Sequence, residues 1–355
     1  MRNGGWEAWV MTSPGAPLER RELAPQAPGP GEAVIEVAGC GVCHTDLSFL
    51  FGGVKTRTPP PLVLGHEISG TVRQVGPGVD SALPGRPVVV PAVLPCGECE
   101  LCRAGRRTIC RRQVMPGNDR HGGFASHVVV PARFVCVVPE AALARHELWE
   151  LAVVSDALST PFDAVRRSEL GSGELAIVVG AGGIGIHAVQ VAAAVGALVF
   201  ALDVDDVKLV QAREAGAASG FNVRGMAVKE VRKLVRAEAE RLGGPAHLWK
   251  IFETSGTAAG QELAYALIGF GASLAVVGFT MDKVELCLSN LMAFDAVARG
   301  NWGADPLVYP ELLAWIGAGR LQVRPFVERH PLSRINEVFG EAHHRRLLKR
   351  AVMIP

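Results

Sequence analysis

A run of five apolar residues, Leu175-Ala176-Ile177-Val178-Val179, passes without a break into Gly180-Ala181-Gly182-Gly183-Ile184-Gly185. So short an apolar, β-branched run suits a parallel strand buried on both faces. The glycines then make a tight turn, and apolar spacing to Val195, stopped by Gly196, predicts a helix. A second strand over 198–202 ends in Asp203, about 20 residues beyond the glycines. Strand, glycine turn, helix, strand and acid in that order is the βαβ unit of a doubly wound parallel sheet. In such a unit the backbone at Gly180 and Gly182 can approach a pyrophosphate, and the helix N-terminus stabilises its charge. Gly183, Ile184 and Gly185 complete the turn. Asp203 would accept hydrogen bonds from the adenosine ribose and repel a 2′-phosphate, which favours NAD over NADP. Lys208, five residues on, either flanks that ribose or is a solvated helix residue.

The alternation continues with a strand over 250–253, a helix over 260–267 and a strand over 273–277 that ends at Gly278. Val277 is a further candidate for the cofactor. The charge-rich stretch 228–242 predicts an exposed crossover helix with no functional role. Only the run from Leu175 to Leu202 approaches membrane-spanning length, and its glycines, His187 and Gln190 make it strand, loop and helix instead. Lys plus Arg number 36 against 35 Asp plus Glu, a balance with no signal for nucleic acid or an anionic membrane. The first seven residues, Met1-Arg2-Asn3-Gly4-Gly5-Trp6-Glu7, lack the apolar core of an export signal. A cytoplasmic protein is therefore expected, its eight cysteines serving as metal ligands or core residues rather than disulfides.

At 355 residues the chain has room for about two domains. Residues 1–155 hold short β-type runs at 7–11, 33–38, 68–75, 87–93 and 126–130, separated by Pro and Gly clusters, and predict an all-β, barrel-like domain. Within it, Gly39-Cys40-Gly41-Val42-Cys43-His44-Thr45-Asp46 sets a thiol, an imidazole, a hydroxyl and a carboxylate side by side, with Gly65-His66-Glu67 some twenty residues on. Thiolate and imidazole together suit zinc, so Cys43 and His66 are candidate ligands of a catalytic Zn²⁺. The alternative is a buried free cysteine and an unrelated histidine. Cys96, Cys99, Cys102 and Cys110 follow the pattern C-x2-C-x2-C-x7-C. Four thiolates so close can close a tetrahedral site with no vacant position, which makes it structural. An iron–sulfur cluster could use the same residues, but a β domain with a second metal-type constellation favours zinc. Residues 145–170 read as helical, with Asp156 in an apolar setting. A buried carboxylate needs a partner, and a metal, a salt bridge or an N-cap would supply one. From about residue 298 the strand–helix rhythm is lost, and Trp302, Trp315 and Glu341-Ala342-His343-His344 suggest a return to the first domain. His343 and His344, beside Arg345 and Arg346, read as a surface face.

These motifs together resemble the zinc-dependent medium-chain alcohol dehydrogenases over nearly the full chain. Within that family, Leu64 to Val72, Met115-Pro116-Gly117-Asn118, Trp249 to Glu253, Leu291 to Ala296 and Glu341 to His344 are most similar to the 6-hydroxycyclohex-1-ene-1-carbonyl-CoA dehydrogenases of anaerobic benzoyl-CoA degradation. The resemblance implies a GroES-like β domain over 1–155 with a zinc lobe at about 95–111, a Rossmann domain over 156–297, and a return over 298–355. It implies NAD and two zincs per chain. Cys43, His66 and Asp156 would ligate the catalytic zinc, with Glu67 a fourth ligand when no substrate is bound. Asp156 stands where many members have cysteine. Asp46 would orient His66, Thr45 would take the substrate proton, and His44 and Arg350 would meet the cofactor pyrophosphate. Ser48 replaces the histidine that ends the proton relay in many members, leaving that path open. The implied reaction is oxidation of an alicyclic hydroxyacyl-CoA to the conjugated ketone. The alternatives are 1,4-reduction of a conjugated acyl-CoA, a general secondary or benzylic alcohol dehydrogenase, and a non-catalytic NAD-binding protein. Lys55, Arg57, Arg120 and Arg299 are candidates for the CoA phosphates, and a homo-oligomer, tetramer or dimer, is expected.

Overall fold

The computed structural model describes residues 5–355; residues 1–4, with the start of the stretch read for an export signal, lie outside the described residues. The first unit, Met1–Ser159 with Gly303–Pro355, begins with the strands β1 (Trp6–Met11), β2 (Glu19–Leu23) and β3 (Glu32–Gly41) and the helix α1 (His44–Leu50). Then come β4 (Leu62–Val63), β5 (Glu67–Val75), β6 (Pro87–Val90), the short helix α2 (Glu100–Arg103), β7 (His127–Pro131), β8 (Cys136–Val137) and α3 (Glu140–Leu143). Each expected early strand is present within a few residues. Ile35, Val37, Ile68, Val72, Val88 and Val90 pack into one core with Phe124 and Leu64. β2 escaped the pattern because its residues, Glu-Arg-Arg-Glu-Leu, face water almost throughout, and only pairing with β1 holds it extended.

The second unit, Thr160–Trp302, takes most of α4 (Ser159–Arg167) and then alternates as expected. Its elements are β9 (Leu175–Val179), α5 (Gly185–Ala194), β10 (Leu198–Asp203), α6 (Asp206–Glu214), β11 (Ser219–Asn222), α7 (Val228–Arg241), β12 (Lys250–Glu253), α8 (Ala258–Ala266), β13 (Ser273–Val276), α9 (Ser289–Phe294) and β14 (Val297–Gly300). All six strands run parallel in the order β11-β10-β9-β12-β13-β14. The order reverses direction between β9 and β12, the place where such a sheet opens a crevice for ligands. β9 is buried at every position, as its unbroken apolar run requires. β14 extends the parallel sheet past residue 298, where the sequence rhythm was expected to end. Its residues are all exposed, so they carry no periodic apolar signal.

The chain returns to the first unit through α10 (Tyr309–Gly317), β15 (Val327–Pro331), α11 (Ile335–His343) and β16 (Arg350–Ile354). β16 pairs with β3 at Val352–Gly41, which joins the chain's end to the sheet that carries the Cys43 turn. Residues 145–170 are not one helix. A 3₁₀ stretch, Leu148–Ser155, stops at Asp156, whose φ of −143° and ψ of −60° leave the helical region before α4 begins. Among the described residues no helix is long and apolar enough to cross a membrane.

Candidate metal centre and cofactor site

β3 delivers Cys43 to the N-cap of α1, where its backbone is extended. Asp46, in the first turn of that helix and fully buried, reaches in two directions. Its Oδ2 accepts from Cys43 N at 3.0 Å, and its Oδ1 accepts from Gly65 N at 3.1 Å. The same Oδ1 lies 3.3 Å from His66 Nδ1. One carboxylate thereby sets the turn that carries the thiol and the turn that carries the imidazole.

Opposite Asp46, His66 Nε2 lies 3.6 Å from Asp156 Oδ2, and Cys43 Sγ lies 3.6 Å from the same oxygen. Ligand atoms of Cys43, His66, Glu67 and Asp156 all fall within 4.8 Å of one another. His66 is 1% exposed, and neither ring nitrogen meets a donor or acceptor in hydrogen-bond geometry. Burial alone would lower its pKa, but the negative charges at Asp46 and Cys43 outweigh burial and hold it well above the usual value. A cation among these groups would satisfy Nε2 and the anions together, and thiolate, imidazole and carboxylate are a zinc donor set. Thr45, half-buried, places Oγ1 3.7 Å from Cys43 Sγ. Ser48 donates to His44 O at 2.9 Å, back along its own helix, and His44 is exposed.

Glu67 also faces Arg350 from β16. The guanidinium Nε lies 3.1 Å from Oε2, and Nη2 contacts Oε1. Glu67 is fully buried and Arg350 nearly so, and burial is the main cause raising the Glu67 pKa, with Arg350 opposing it. The sequence reading set Arg350 with the pyrophosphate and saw no link to Glu67. A Cβ at Gly41 would stand 2.0 Å from Glu67 Oε2, so only glycine leaves room for this pair.

In the cysteine lobe the Sγ separations are 3.5 Å for Cys96–Cys110 and Cys99–Cys102, 3.7 Å for Cys99–Cys110 and 3.9 Å for Cys96–Cys102. Zinc–sulfur bonds of about 2.3 Å give a tetrahedron with edges of about 3.8 Å, so the four sulfurs already have the spacing of a zinc site. The backbone amide of Glu98 pulls the Cys96 thiol down to about 6, whereas burial pushes Cys102 up to about 12. Without a cation the four cannot all ionise together.

In the second unit Gly180 takes a φ of +93°, and a Cβ there would lie 2.6 Å from Ser255 Cα. A Cβ at Gly185 would lie 1.8 Å from Gly180 O, whereas one at Gly182 would meet nothing within 4 Å. Gly180 and Gly185 are glycines for packing. Gly182 leaves the open approach that a pyrophosphate needs, with the first turn of α5 behind it. Asp203 ends β10 and is nearly buried. Its Oδ2 accepts from Ala181 N at 2.7 Å, and its Oδ1 accepts from Val204 N at 2.8 Å and Asp205 N at 3.0 Å. Lys208 is half-buried on α6, and Arg224, which the sequence reading missed, donates to Val204 O at 2.7 Å. Val277 N donates to Glu253 O at 2.9 Å. The Glu253 side chain, fully buried, accepts from Ser255 N, Ser255 Oγ and Gly256 N, shaping the turn after β12. A glutamate ending an apolar strand before Thr-Ser-Gly was the signal for it.

The candidates for CoA phosphates fare differently. Arg57 pairs with Asp119 at 2.7 Å, Arg120 with Glu32 at 2.8 Å, and Arg299 donates to Arg167 O at 2.8 Å. These three are engaged within the chain, because each has a carboxylate or carbonyl in reach; Lys55 is exposed. His343 is exposed and packs its ring on Phe51, centroids 4.7 Å apart, in keeping with a surface role.

Comparison with known proteins matches residues 29–140 to the alcohol dehydrogenase GroES-like domain and residues 183–318 to the zinc-binding dehydrogenase family. An alcohol dehydrogenase of Geobacillus stearothermophilus is 31% identical over 337 residues, 95% of each chain. The alcohol dehydrogenase of Aeropyrum pernix superposes with a TM-score of 0.87 at 28% identity, covering 98% of this chain and 100% of that one. Acetophenone reductase from Geotrichum candidum, solved in complex with NAD, superposes with a TM-score of 0.85 at 25% identity over 99% and 97% of the two chains.

Proposed function

The chain belongs to the zinc-dependent medium-chain alcohol dehydrogenase family, and from that premise we propose that it oxidises a secondary alcohol to a ketone at Cys43, His66 and Asp156, with NAD⁺ as acceptor. The observation that carries this reading is the convergence of Cys43 Sγ and His66 Nε2 on one oxygen of Asp156, each at 3.6 Å, in a buried site. Zinc held there would supply Lewis-acid polarisation of an alcohol oxygen, and NAD held at Gly182 and Asp203 would supply the hydride acceptor. The chain's own residues do the rest. The Asp46 carboxylate, 3.3 Å from Nδ1, favours a proton on that nitrogen, which leaves Nε2 as the ligating one. Thr45, its hydroxyl 3.7 Å from the thiol, is assigned the alcohol proton. With Ser48 turned to its own helix backbone, the proton that Thr45 takes would pass to water. Arg350 neutralises Glu67 and so keeps a third carboxylate from adding unbalanced charge beside Asp156.

An alicyclic hydroxyacyl-CoA is the finer reading of the substrate, supported by stretches such as Leu64 to Val72 and Leu291 to Ala296. With Arg57, Arg120 and Arg299 engaged, Lys55 is the remaining cation proposed for the CoA phosphates. A matched pair tests it: NAD⁺ reduction with hydroxycyclohexene-carbonyl-CoA and with its free acid. Activity on the free acid alone discards the CoA reading and leaves a general secondary alcohol dehydrogenase. The 1,4-reduction is separated by the position of deuterium in product formed from deuterated NADH.

A homo-oligomer, dimer or tetramer, is proposed as the working form. β14 is the sheet's edge and exposed along its length, and its own Val297 and, before it in sequence, Phe279, Met281, Leu288 and Met292 are each more than half exposed. Sedimentation velocity of the chain tests this directly, and a monomer at micromolar concentration rejects it. A cytoplasmic setting is proposed from the eight cysteines, all free thiols.

A further inference from the structure

Asp156 sits at a break in the chain, not on a regular element, so something other than a helix must hold its carboxylate in place. The peptide just before it is unusually well tied. Ser155 O accepts from Ala92 N at 3.2 Å, from Ser159 Oγ at 3.2 Å and from Tyr309 Oη. Ser159 Oγ lies 3.0 Å from Tyr309 Oη as well, so its one proton serves either that oxygen or Ser155 O. The Ser155 side chain clamps Ile68, accepting from its N and donating to its O, each at 2.9 Å. Ile68 is two residues beyond His66, so Ser155 sets the segment that carries Asp156 against the segment that carries His66. Ser155, Ser159 and Tyr309 are all within 1% of full burial. None of them touches Cys43 or His66 through any of these bonds.

Tyr309 comes from the far end of the sequence, as the first residue of α10. The 3₁₀ turn just before it, Pro306–Val308, is capped by Asp305, whose carboxylate accepts from Leu307 N. Asp305 in turn is held by Arg107 Nη1 at 3.0 Å, and Arg107 lies between Cys102 and Cys110 of the cysteine lobe. A continuous set of contacts thus runs from the lobe through Arg107, Asp305, Tyr309 and Ser155 to Asp156.

We infer that Tyr309 is a positioning residue for Asp156, and that the Arg107–Asp305 pair ties its placement to the cysteine lobe. The inference rests on the reading that Cys43, His66 and Asp156 hold a zinc. A buried hydroxyl that donates to the carbonyl preceding a ligand fixes that ligand's peptide plane. Groups one bond removed from metal ligands commonly change metal affinity 10–100-fold when lost. The contacts also give the lobe a task at a distance: it anchors the turn from which Tyr309 reaches inward.

The test uses Tyr309→Phe, which removes only the hydroxyl, in the full-length protein. Zinc release to a chelator and the visible spectrum of protein with Co²⁺ in place of the catalytic zinc are read beside kcat and the KM for NAD⁺. Expected are about tenfold faster release of one zinc, an altered Co²⁺ spectrum, a lower kcat and an unchanged NAD⁺ KM. A role confined to stability would lower the melting temperature and leave the spectrum as it is, and that result overturns the inference. Should Tyr309→Phe fail to fold, Arg107→Ala, at the rim of the same path, carries the test through the same spectrum. The spectrum is then expected to shift, and an unchanged one rejects the proposal. Wild-type protein that holds only the lobe zinc would overturn the reading of the site itself, a result seen before any variant is made.

Discussion

Arg350 and Glu67, 283 positions apart in the sequence, form an ion pair almost wholly out of water beside the Cys43–His66–Asp156 cluster. β16 brings Arg350 there by pairing with β3, and β5 brings Glu67 by pairing with the same strand on its other side. A buried pair of this kind is costly to break from one side, because the remaining charge has no water to turn to. Arg350→Leu is expected to destabilise the first unit by about 3–5 kcal/mol, and the double variant Arg350→Leu/Glu67→Leu by clearly less. Urea unfolding of the two variants beside wild type checks this. Equal losses from the single and the double would show that the pair is not what matters.

The glycine turn separates packing from binding. Gly185→Ala must push a methyl into Gly180 O, and destabilisation of about 1–3 kcal/mol is expected from overpacking. Gly182→Ala faces open space and should fold normally, while its methyl occupies the approach to the turn and raises the NAD⁺ KM. Thermal melts and NAD⁺ titrations of the two variants distinguish these outcomes, and an unaffected NAD⁺ KM in Gly182→Ala would move the pyrophosphate elsewhere.

Asp203→Ala removes the charge proposed to oppose a 2′-phosphate, and with it the acceptor for Ala181 N. The ratio of kcat/KM for NADP⁺ to that for NAD⁺ is expected to rise by about tenfold or more, since a like-charge contact is worth several kcal/mol. No change in the ratio would remove Asp203 from the ribose site.

Acid stability should carry a contribution from α7. Hydrogen bonds from Arg241 first, and Ser219 second, hold Glu238 at about 2, below its ordinary 4.5. A depressed carboxylate stabilises the fold above its unfolded value and loses that contribution as the pH falls through the folded one. The Glu238 contribution is therefore complete above about pH 4.5 and gone near pH 2. In Glu238→Gln the acid limb of the stability curve should flatten in that window, with stability at neutral pH slightly lower. Identical acid limbs would show that this exposed pair contributes nothing measurable.

Much of this was legible before any coordinates. The βαβ unit around Gly180 and Asp203 is local: strand, turn, helix and acid follow one another within thirty residues, the strands and helix reported by their apolar pattern and the turn by its glycines. The cysteine lobe is legible for the same reason, its ligands lying in one short loop. What the sequence hid are relationships across long separations and elements without apolar contrast. Arg350 meets Glu67, and Tyr309 meets Ser155, only because β16 and α10 fold back onto the first unit. β2 and β14 are strands by pairing alone, their side chains facing water. The continuous helix expected over 145–170 failed at Asp156, where Tyr309, Ser159 and Ala92 hold the carbonyl of Ser155 that a helix would have used.

Asp156 is proposed to complete a cation site with Cys43 and His66. Metal analysis of Asp156→Ala, beside wild type, addresses it most directly. Two zincs per chain in the wild type, one in the variant with the cysteine lobe still loaded, and loss of NAD⁺-dependent turnover are the predicted result. An Asp156→Ala protein that keeps both zincs and full turnover would contradict it.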